Sequence, residues 1–314
     1  MKLPLDSVTK FGVQTRLTSP DLTKKTINIL DKLDFDSVWV GDHLAFTLPI
    51  LDPFTQLAHA CAYSRKLTVA TGVFLLPMRH PAAIAKQVVS LDHLSEGRFI
   101  FGVGVGGEFP EEWQMVGVST KERGVRLSEG IDVMRKLWSG QPVAYKGKFY
   151  SFEEVQMLPG PFQSGGPPIW CGGRSEAALR RTGRMADGYL SYVVTPTMFR
   201  KALLKIQEAG EEIGRKFKLF GSGHLLFCCM DQTYEKAWNK ATELLSERYA
   251  MDFRKAAERY CAMGTAQDIA EKILEYHDSG VRHFVFDFLG EQHQRITSIE
   301  QFAGEVIPLL KKIR

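Results

Sequence analysis

The chain has 314 residues, a formal net charge of +4, and no block of Lys or Arg, so nothing indicates a nucleic-acid or membrane-surface role. Its N-terminal segment lacks the apolar region of a signal peptide, and no apolar run is long enough to cross a bilayer. We therefore expect a soluble cytoplasmic protein. The five cysteines include no C-x-x-C pair, which argues against a disulfide framework or a cysteine zinc site.

Short apolar runs alternate with amphipathic stretches along the chain. The apolar runs predict strands at Phe11–Gln14, Ser37–Val40, Leu67–Leu76, Phe99–Val105, Ile169–Cys171, Tyr189–Tyr192, Lys218–Cys229 and His283–Phe288. The periodic stretches predict helices at Leu22–Leu33, Pro53–Tyr63, Ala82–Leu94, Arg123–Trp138, Glu176–Met185, Pro196–Ile213, Tyr234–Arg259, Ala266–Ser279 and Ile299–Lys312. Residues 140–167 break this rhythm with many Gly and Pro and a hairpin-like piece, and we interpret them as an insertion.

About eight β/α units in a chain of this length predict a (β/α)8 TIM barrel as a single domain over residues 1–314. Strands that are apolar throughout fit a parallel sheet covered by helices. A doubly wound open sheet gives similar local signals and remains the alternative. In a barrel, functional residues lie where the strands end and the βα loops begin.

One segment suggests both this architecture and a phosphorylated ligand. Gly172 and Gly173 follow the predicted strand Ile169–Cys171, and Arg174 and Ser175 precede a helix-forming stretch. Backbone N–H groups, a guanidinium and a hydroxyl at a helix N-terminus favour a bound anion such as phosphate.

The same residues formally fit the G-x-S-x-A pattern of a hydrolase nucleophile elbow centred on Ser175. Candidate partners occur in the correct order, at Asp187, Asp231, His283 and His293. Because their spacing carries no specific signature, we rank a helix cap or phosphate ligand above a nucleophile.

Two further strand ends carry candidate functional residues. Asp42 and His43 follow the second predicted strand, where such side chains can orient a ring, contact a polar cofactor edge or move a proton. The alternative is that Asp42 caps a turn and His43 fills space. Gly72 and Val73 interrupt the third strand, where a glycine marks either a close approach to a ligand or a tight corner of the barrel.

The fourth predicted strand ends in a glycine-rich run that formally contains G-x-G-x-x-G, at Gly102, Gly104 and Gly107. A dinucleotide fingerprint requires a helix to open at the third glycine, but the chain continues with Glu-Phe-Pro, so we reject that interpretation. Glycines at a strand end, Gly104 and Gly106 among them, still leave room for a planar ring.

Other charged and metal-binding patterns are weak. Arg123, Arg126 and Glu129 share one predicted helix face, which we interpret as a solvated or structural ion-pair face. The eight histidines form no H-x-H or H-E-x-x-H pair, so we expect no metal site.

Taken together, these features resemble the luciferase-like flavin oxidoreductase superfamily. The matching segments are Val38–Leu44, Thr71–Pro77, Pro81–Gly107, Arg123–Gly140, Gly147–Phe152 and Pro167–Leu190. The resemblance covers roughly residues 10–310. It implies a TIM barrel with insertions that binds FMN, or the deazaflavin coenzyme F-420 (F420), at its C-terminal mouth.

The resemblance also implies a role for each candidate residue. Asp42 and His43 would lie beside the ring system, with His43 handling a proton. Gly72 and Val73 would lie behind the ring, joined by a cis peptide. Gly104 and Gly106 would flank the polar side of the ring. The phosphate would be held by Gly172, Gly173, Arg174 and Ser175.

We therefore predict a flavin-dependent oxidoreductase, with a monooxygenase that uses reduced FMN from a partner reductase as the leading hypothesis. The alternative on the same fold is F420-dependent hydride transfer, and an alternative of another class is a non-catalytic flavin-binding protein. A serine hydrolase built on Ser175 ranks last. The resemblance alone implies a homodimer, and we expect the substrate to be set by loops at 108–122, 140–167 and 287–297.

Overall fold

The computed structural model of the protein describes residues 3–107, 109–249 and 251–313, with only the backbone at 292 and 293. The strands, in chain order, are β1 (Lys10–Thr15), β2 (Ser37–Val40), β3 (Thr68–Thr71), β4 (Phe99–Val103), β5 (Val143–Lys146), β6 (Ser151–Val155), β7 (Ile169–Gly172), β8 (Gly188–Tyr192), β9 (Gly221–Met230), β10 (Ala262–Gly264) and β11 (His283–Phe288). The helices are α1 (Pro20–Lys32), α2 (Pro53–Cys61), α3 (Pro81–Leu94), α4 (Pro110–Met115), α5 (Arg123–Leu137), α6 (Glu176–Met185), α7 (Pro196–Glu211), α8 (Tyr234–Tyr249), α9 (Arg254–Tyr260), α10 (Ala266–Asp278) and α11 (Gln292–Glu305).

Eight parallel strands of this described part close into a barrel, in the order β1-β2-β3-β4-β7-β8-β9-β11, with β11 paired again to β1. Helices connect successive strands, so the predicted TIM barrel is confirmed and the open-sheet alternative is wrong. Each of the eight predicted strands overlaps an observed one. Strand β10 pairs with the end of β9 outside the barrel, and β5 and β6 form an antiparallel hairpin within residues 140–167.

Proline and a preceding polar cap begin several helices. In α1, the side chain of Ser19 accepts the N–H of Leu22, and proline occupies the first helical position. The same arrangement begins α2, where Asp52 accepts the N–H of Thr55. Proline at this position gives up no intrahelical hydrogen bond, which explains why these boundaries could be predicted.

The third strand is shorter than predicted because the apolar run continues beyond it. Strand β3 ends at Thr71, and the chain then turns through a cis peptide between Gly72 and Val73. The next apolar residues form a 3-10 turn at Leu76–Met78 that is itself buried. The run is therefore apolar because both a strand and the following turn are buried.

Two long helices predicted near the C-terminus differ in the structure. The stretch 234–259 is divided into α8 and α9, because Phe253 turns into the core and its N–H is accepted by the Ser246 hydroxyl at 3.0 Å. Helix α11 begins seven residues earlier than predicted and ends at Glu305. Pro308 cannot continue an α-helix, and a 3-10 turn at Ile307–Leu310 follows.

Aromatic side chains fill the barrel interior around Trp170. The rings of Trp39 and Trp170 lie 5.6 Å apart, and His283 meets both edge-on at 5.4 and 5.5 Å. Gly188 and Gly221 make room for this layer, because a Cβ at either position would lie 2.5 or 2.1 Å from the Trp170 ring. Side chains therefore fill the interior of the barrel at this level.

None of the helices in the described ranges is long and apolar enough to span a bilayer.

Candidate functional site

A histidine and a glutamate meet at the end of β2. Nδ1 of His43 lies 3.1 Å from Oε2 of Glu112, which comes from the short helix α4. Glu112 is almost fully buried, and its Oε1 accepts the backbone N–H groups of Leu44 at 2.6 Å and Ala45 at 3.0 Å. An ionised carboxylate can only accept hydrogen bonds, so Nδ1 of His43 must be the donor in its contact with Glu112. In the neutral ring, Nε2 is therefore left as the proton acceptor.

Aromatic contacts fix the plane of the same imidazole. The ring of His43 stacks on Phe46 at 4.3 Å, with 9° between the planes. Phe109 packs edge-on against both rings, at 5.4 and 5.1 Å. The His43 side chain retains 21% of its exposure. Its orientation is thus set from one side by a charge and from two sides by apolar rings.

Asp42, the other residue predicted at this strand end, is buried and engaged elsewhere. Its two carboxylate oxygens accept from both terminal nitrogens of Arg79, at 2.6 and 2.8 Å, and from the N–H of Leu75 at 2.8 Å. Burial raises the pKa of the Asp42 carboxyl, whereas the Arg79 guanidinium and the Leu75 amide act in the opposite direction. Asp42 therefore joins the β2 loop to the turn that follows β3.

The cis peptide predicted between Gly72 and Val73 is present. The side chain of Val73 lies between two other glycines, since a Cβ at Gly104 would be 2.5 Å from its Cγ2 and a Cβ at Gly172 would be 3.2 Å from its Cγ1. The ends of β3, β4 and β7 thus meet at one apolar side chain. Such a surface fits the face of a planar ring, as a flavin or deazaflavin would require.

The glycine loop after β4 is held by an arginine of α5. Gly106 and Gly107 have φ values of +54° and +113°, a region that favours glycine. Arg123 donates from Nη1 to the carbonyl of Gly106 at 2.8 Å. Arg123 therefore belongs to the mouth of the barrel. Glu129, which the sequence placed on the same helix face, instead accepts the N–H groups of the hairpin residues 149 and 150.

The predicted phosphate-binding segment begins helix α6. Gly173, Arg174 and Ser175 are exposed, and Gly173 has a φ of +120°. Ser175 is the N-cap, and its Oγ accepts the N–H of Ala178 at 3.3 Å. Arg174 donates to the carbonyl of Val193 at 3.2 Å. The other first-turn N–H groups have no partner within the helix, so this donor set fits a phosphate group.

The structure places two of the catalytic partners proposed for a Ser175 nucleophile away from Ser175. Asp187 and His283 lie at the N-terminal ends of their strands, whereas Ser175 follows the C-terminal end of β7. Burial lowers the pKa of His283 to about 3, and the ring is enclosed among tryptophans. The His293 side chain lies outside the described residues. Ser175 acts as a helix cap in the structure, which is one of the two roles that the sequence ranked above a nucleophile.

Glu112 is the residue that the sequence reasoning missed. It lies in the loop 108–122, which the sequence predicts to help set the substrate, and Glu108 of that loop lies outside the described residues. Glu111 and Glu112 are equivalent by residue type, yet the first is exposed and the second buried. The neighbouring Trp113, buried against Leu75, is the sequence signal that could have indicated which side of α4 faces inward.

Within the described ranges, no group of three or more His, Cys, Asp or Glu side chains is arranged to hold a metal ion.

Comparison with known proteins relates the chain to a family. Residues 7–283 match the luciferase-like monooxygenase family. The chain is 26% identical to the F420-dependent glucose-6-phosphate dehydrogenase of Nakamurella multipartita, over 89% of each protein. It is 31% identical to the 4-hydroxyprotoasukamycin monooxygenase of Streptomyces nodosus subsp. asukaensis, over 53% of this chain and 46% of that protein.

Among solved structures, an F420-dependent secondary alcohol dehydrogenase in complex with an F420-acetone adduct superimposes with a TM-score of 0.83. The match covers 98% of this chain and 99% of that one at 20% sequence identity. At this identity the likeness concerns the fold.

Proposed function

Because the chain belongs to the luciferase-like monooxygenase family, we propose that it is an oxidoreductase that binds a flavin or deazaflavin coenzyme at the C-terminal mouth of its barrel. The ends of β2, β3, β4 and β7 form one continuous half of that mouth. Val73 would support the back of the ring, and the loop at Gly104 and Gly106 would border it. The N-terminus of α6, with Arg174 and Ser175, would hold the phosphate.

Within this class, we propose F420-dependent oxidation or reduction of an alcohol or carbonyl compound. When bound, the deazaflavin supplies the hydride acceptor or donor. The protein must then accept or deliver one proton at the substrate oxygen. His43 suits this task, because Glu112 holds Nδ1 as a donor and leaves Nε2 to exchange the proton.

The His43–Glu112 pair is the observation that carries this proposal. A buried carboxylate that positions an imidazole is useful where a proton moves at each turnover. The F420-dependent relative from Nakamurella supports the same reaction class, because the chain matches 89% of its length.

A monooxygenase that uses reduced FMN is the second candidate. The Streptomyces monooxygenase relative supports it, as do the apolar rings of Phe46 and Phe109 around His43, which limit access of water to the site. In either case we propose that a separate reductase or dehydrogenase completes the redox cycle and that the chain works as a homodimer.

Calorimetric titration of the purified full-length protein with F420, and separately with FMN, tests the proposal. We expect F420 to bind more tightly. In Arg174→Ala, affinity should fall by about 1.5–3 kcal/mol, the contribution of a hydrogen bond to a charged group. The matched control is Arg254→Ala, because Arg254 is an exposed arginine at the start of α9 that pairs with Asp252.

Tighter binding of FMN would favour the monooxygenase, and oxygen consumption with a supplied flavin reductase would then be measured. If neither coenzyme bound, the proposed function would be wrong.

A further inference from the structure

A glutamine near the end of β1 has a buried carboxamide oxygen without a partner. Gln14 is half-buried, and its Oε1 atom accepts no hydrogen bond from any described residue. Its side chain points into the barrel, because a Cβ added at Gly72 would lie 3.0 Å from this oxygen and one added at Gly41 would lie 3.3 Å from Nε2. The carboxamide therefore lies across the C-terminal ends of β2 and β3.

Two hydrogen-bond donors next to this carboxamide are already used. Trp39, the partner of Gln14 in the register of β1 and β2, donates its indole N–H to the Ser37 hydroxyl at 2.8 Å. The N–H of Gly72 donates to the carbonyl of Val40 at 2.8 Å. Burying a polar atom without a hydrogen bond is costly, so such an atom in a folded protein calls for an explanation. A bound molecule would supply the missing donor.

Gln14 adjoins the surface that we propose supports the coenzyme ring. Gly72 is joined by the cis peptide to Val73, whose side chain would lie behind the ring. A Cβ at Gly72 would also lie 3.2 Å from the Trp39 ring and 3.5 Å from Cδ2 of Leu190, so apolar side chains border the carboxamide. A hydrogen bond formed in such surroundings is stronger than one formed in water.

Flavin and deazaflavin rings share one hydrogen-bond donor, the N–H of their pyrimidine part, which lies between two carbonyl oxygens. A carboxamide presents an acceptor and a donor side by side and can therefore pair with that edge. We propose that Gln14 is a coenzyme-binding residue and that its Oε1 accepts this N–H. The inference rests on the proposed function, because it takes a flavin or deazaflavin as the molecule bound at the mouth.

Replacing Gln14 with Met tests this role, because Met has a similar volume and lacks the carboxamide. The full-length parent protein and Gln14→Met are titrated calorimetrically with F420 and, separately, with FMN. For the coenzyme that the parent protein prefers, the affinity of the variant should fall about fivefold or more, the effect of leaving a buried donor unpaired. Circular dichroism verifies folding, and Gln14→Leu provides the same test if Gln14→Met does not fold.

The stability of the coenzyme-free protein gives a second readout. Because the carboxamide oxygen of Gln14 is unsatisfied there, removing it should leave the urea midpoint of unfolding unchanged or raise it. A carboxamide that served only the fold would show the opposite effect, a lower midpoint. Gln267→Met is the matched control and should leave coenzyme affinity unchanged, because Gln267 is exposed on α10, where its carboxamide donates to Glu271.

Two outcomes would overturn the inference while the proposed function stood. In the first, Gln14→Met binds the coenzyme as tightly as the parent protein and Gln267→Met do. In the second, the urea midpoint of Gln14→Met falls together with its coenzyme affinity, which would make Gln14 a residue of the fold. If the parent protein binds neither coenzyme, the proposed function and this inference are both wrong.

Discussion

The carboxylate of Glu112 approaches Nδ1 of His43 to 3.1 Å across 69 positions of the chain. The same carboxylate accepts the backbone N–H groups of the two residues after His43. One buried side chain therefore fixes the tautomer of the imidazole, its position and the loop that carries it. We regard Glu112 as a positioning residue for proton transfer at His43.

Replacing Glu112 with Gln should release the tautomer of His43. In the parent protein, nitrogen NMR of labelled histidine should show a protonated Nδ1, whereas Glu112→Gln should show a mixture of tautomers. Once a substrate is found, kcat should fall by about a hundredfold, the lower range for loss of acid–base catalysis. Glu111→Gln, an exposed change one residue away, should retain the parent spectrum and rate. Identical spectra for both variants would contradict this role.

Removing the negative charge of Asp42 should destabilise the fold. Asp42→Asn leaves the Arg79 guanidinium, whose side chain is only 17% exposed, without its counter-charge. Breaking a buried ion pair from one side costs about 3–5 kcal/mol. The free energy of unfolding in urea measures this loss. Asp21→Asn, an exposed change in the first turn of α1, should cost at most about 1 kcal/mol, so a comparable loss in both variants would count against the assignment.

Two buried histidines should make stability depend on pH. Burial lowers the pKa of both His224 and His283 to about 3, from an ordinary value of 6.5. Between these values, the unfolded chain binds protons at these rings that the folded protein does not bind. Stability therefore decreases as the pH falls from about 6.5 towards 3, by about 1.4 kcal/mol per pH unit for each histidine.

Urea unfolding at pH 7 and pH 5 measures this dependence. In His283→Asn, the loss of stability between the two pH values should be about 2 kcal/mol smaller than in the parent protein. An equal loss in both proteins would show that His283 does not contribute.

The aromatic layer in the barrel should tolerate no added methyl group. In Gly221→Ala, the new Cβ would lie 2.1 Å from the Trp170 ring, so we expect a loss of about 1–3 kcal/mol in the free energy of unfolding. Gly304→Ala in α11 meets no atom within 4 Å and should instead stabilise the protein by up to about 1 kcal/mol. If Gly221→Ala were as stable as the parent protein, Trp170 would not fill the barrel as described.

The barrel was predictable because each of its strands is buried on both faces and leaves a continuous apolar run in the sequence. The same criterion overextended the third strand, since the turn at Leu76–Met78 is equally buried. It also joined α8 to α9, because the inward turn of Phe253 leaves no mark on helical periodicity. Apolar patterns report burial, and they do not distinguish a strand from the turn that continues it.

The candidate site was partly predictable for a similar reason. Glycines and polar residues at strand ends are local signals. The structure places the segments at Asp42, Gly72, Gly104 and Gly172 at the C-terminal ends of neighbouring strands. Contacts between segments that are far apart in the sequence leave no comparable local signal in it. Neither the Glu112–His43 contact nor the ion pairs of Asp287 with Arg248 and Arg295 could be inferred, because each depends on which side of a later helix faces the barrel.

Strand β9 does more than close the barrel. Its first residues pair with β8, its middle residues with β11 and its last three with β10, which lies outside the barrel. The chain between β9 and β10, which includes Arg248, is therefore an excursion whose length is independent of the eight barrel pairings. Loop grafting in this excursion would therefore change the chain that follows β9 while the eight barrel pairings were kept.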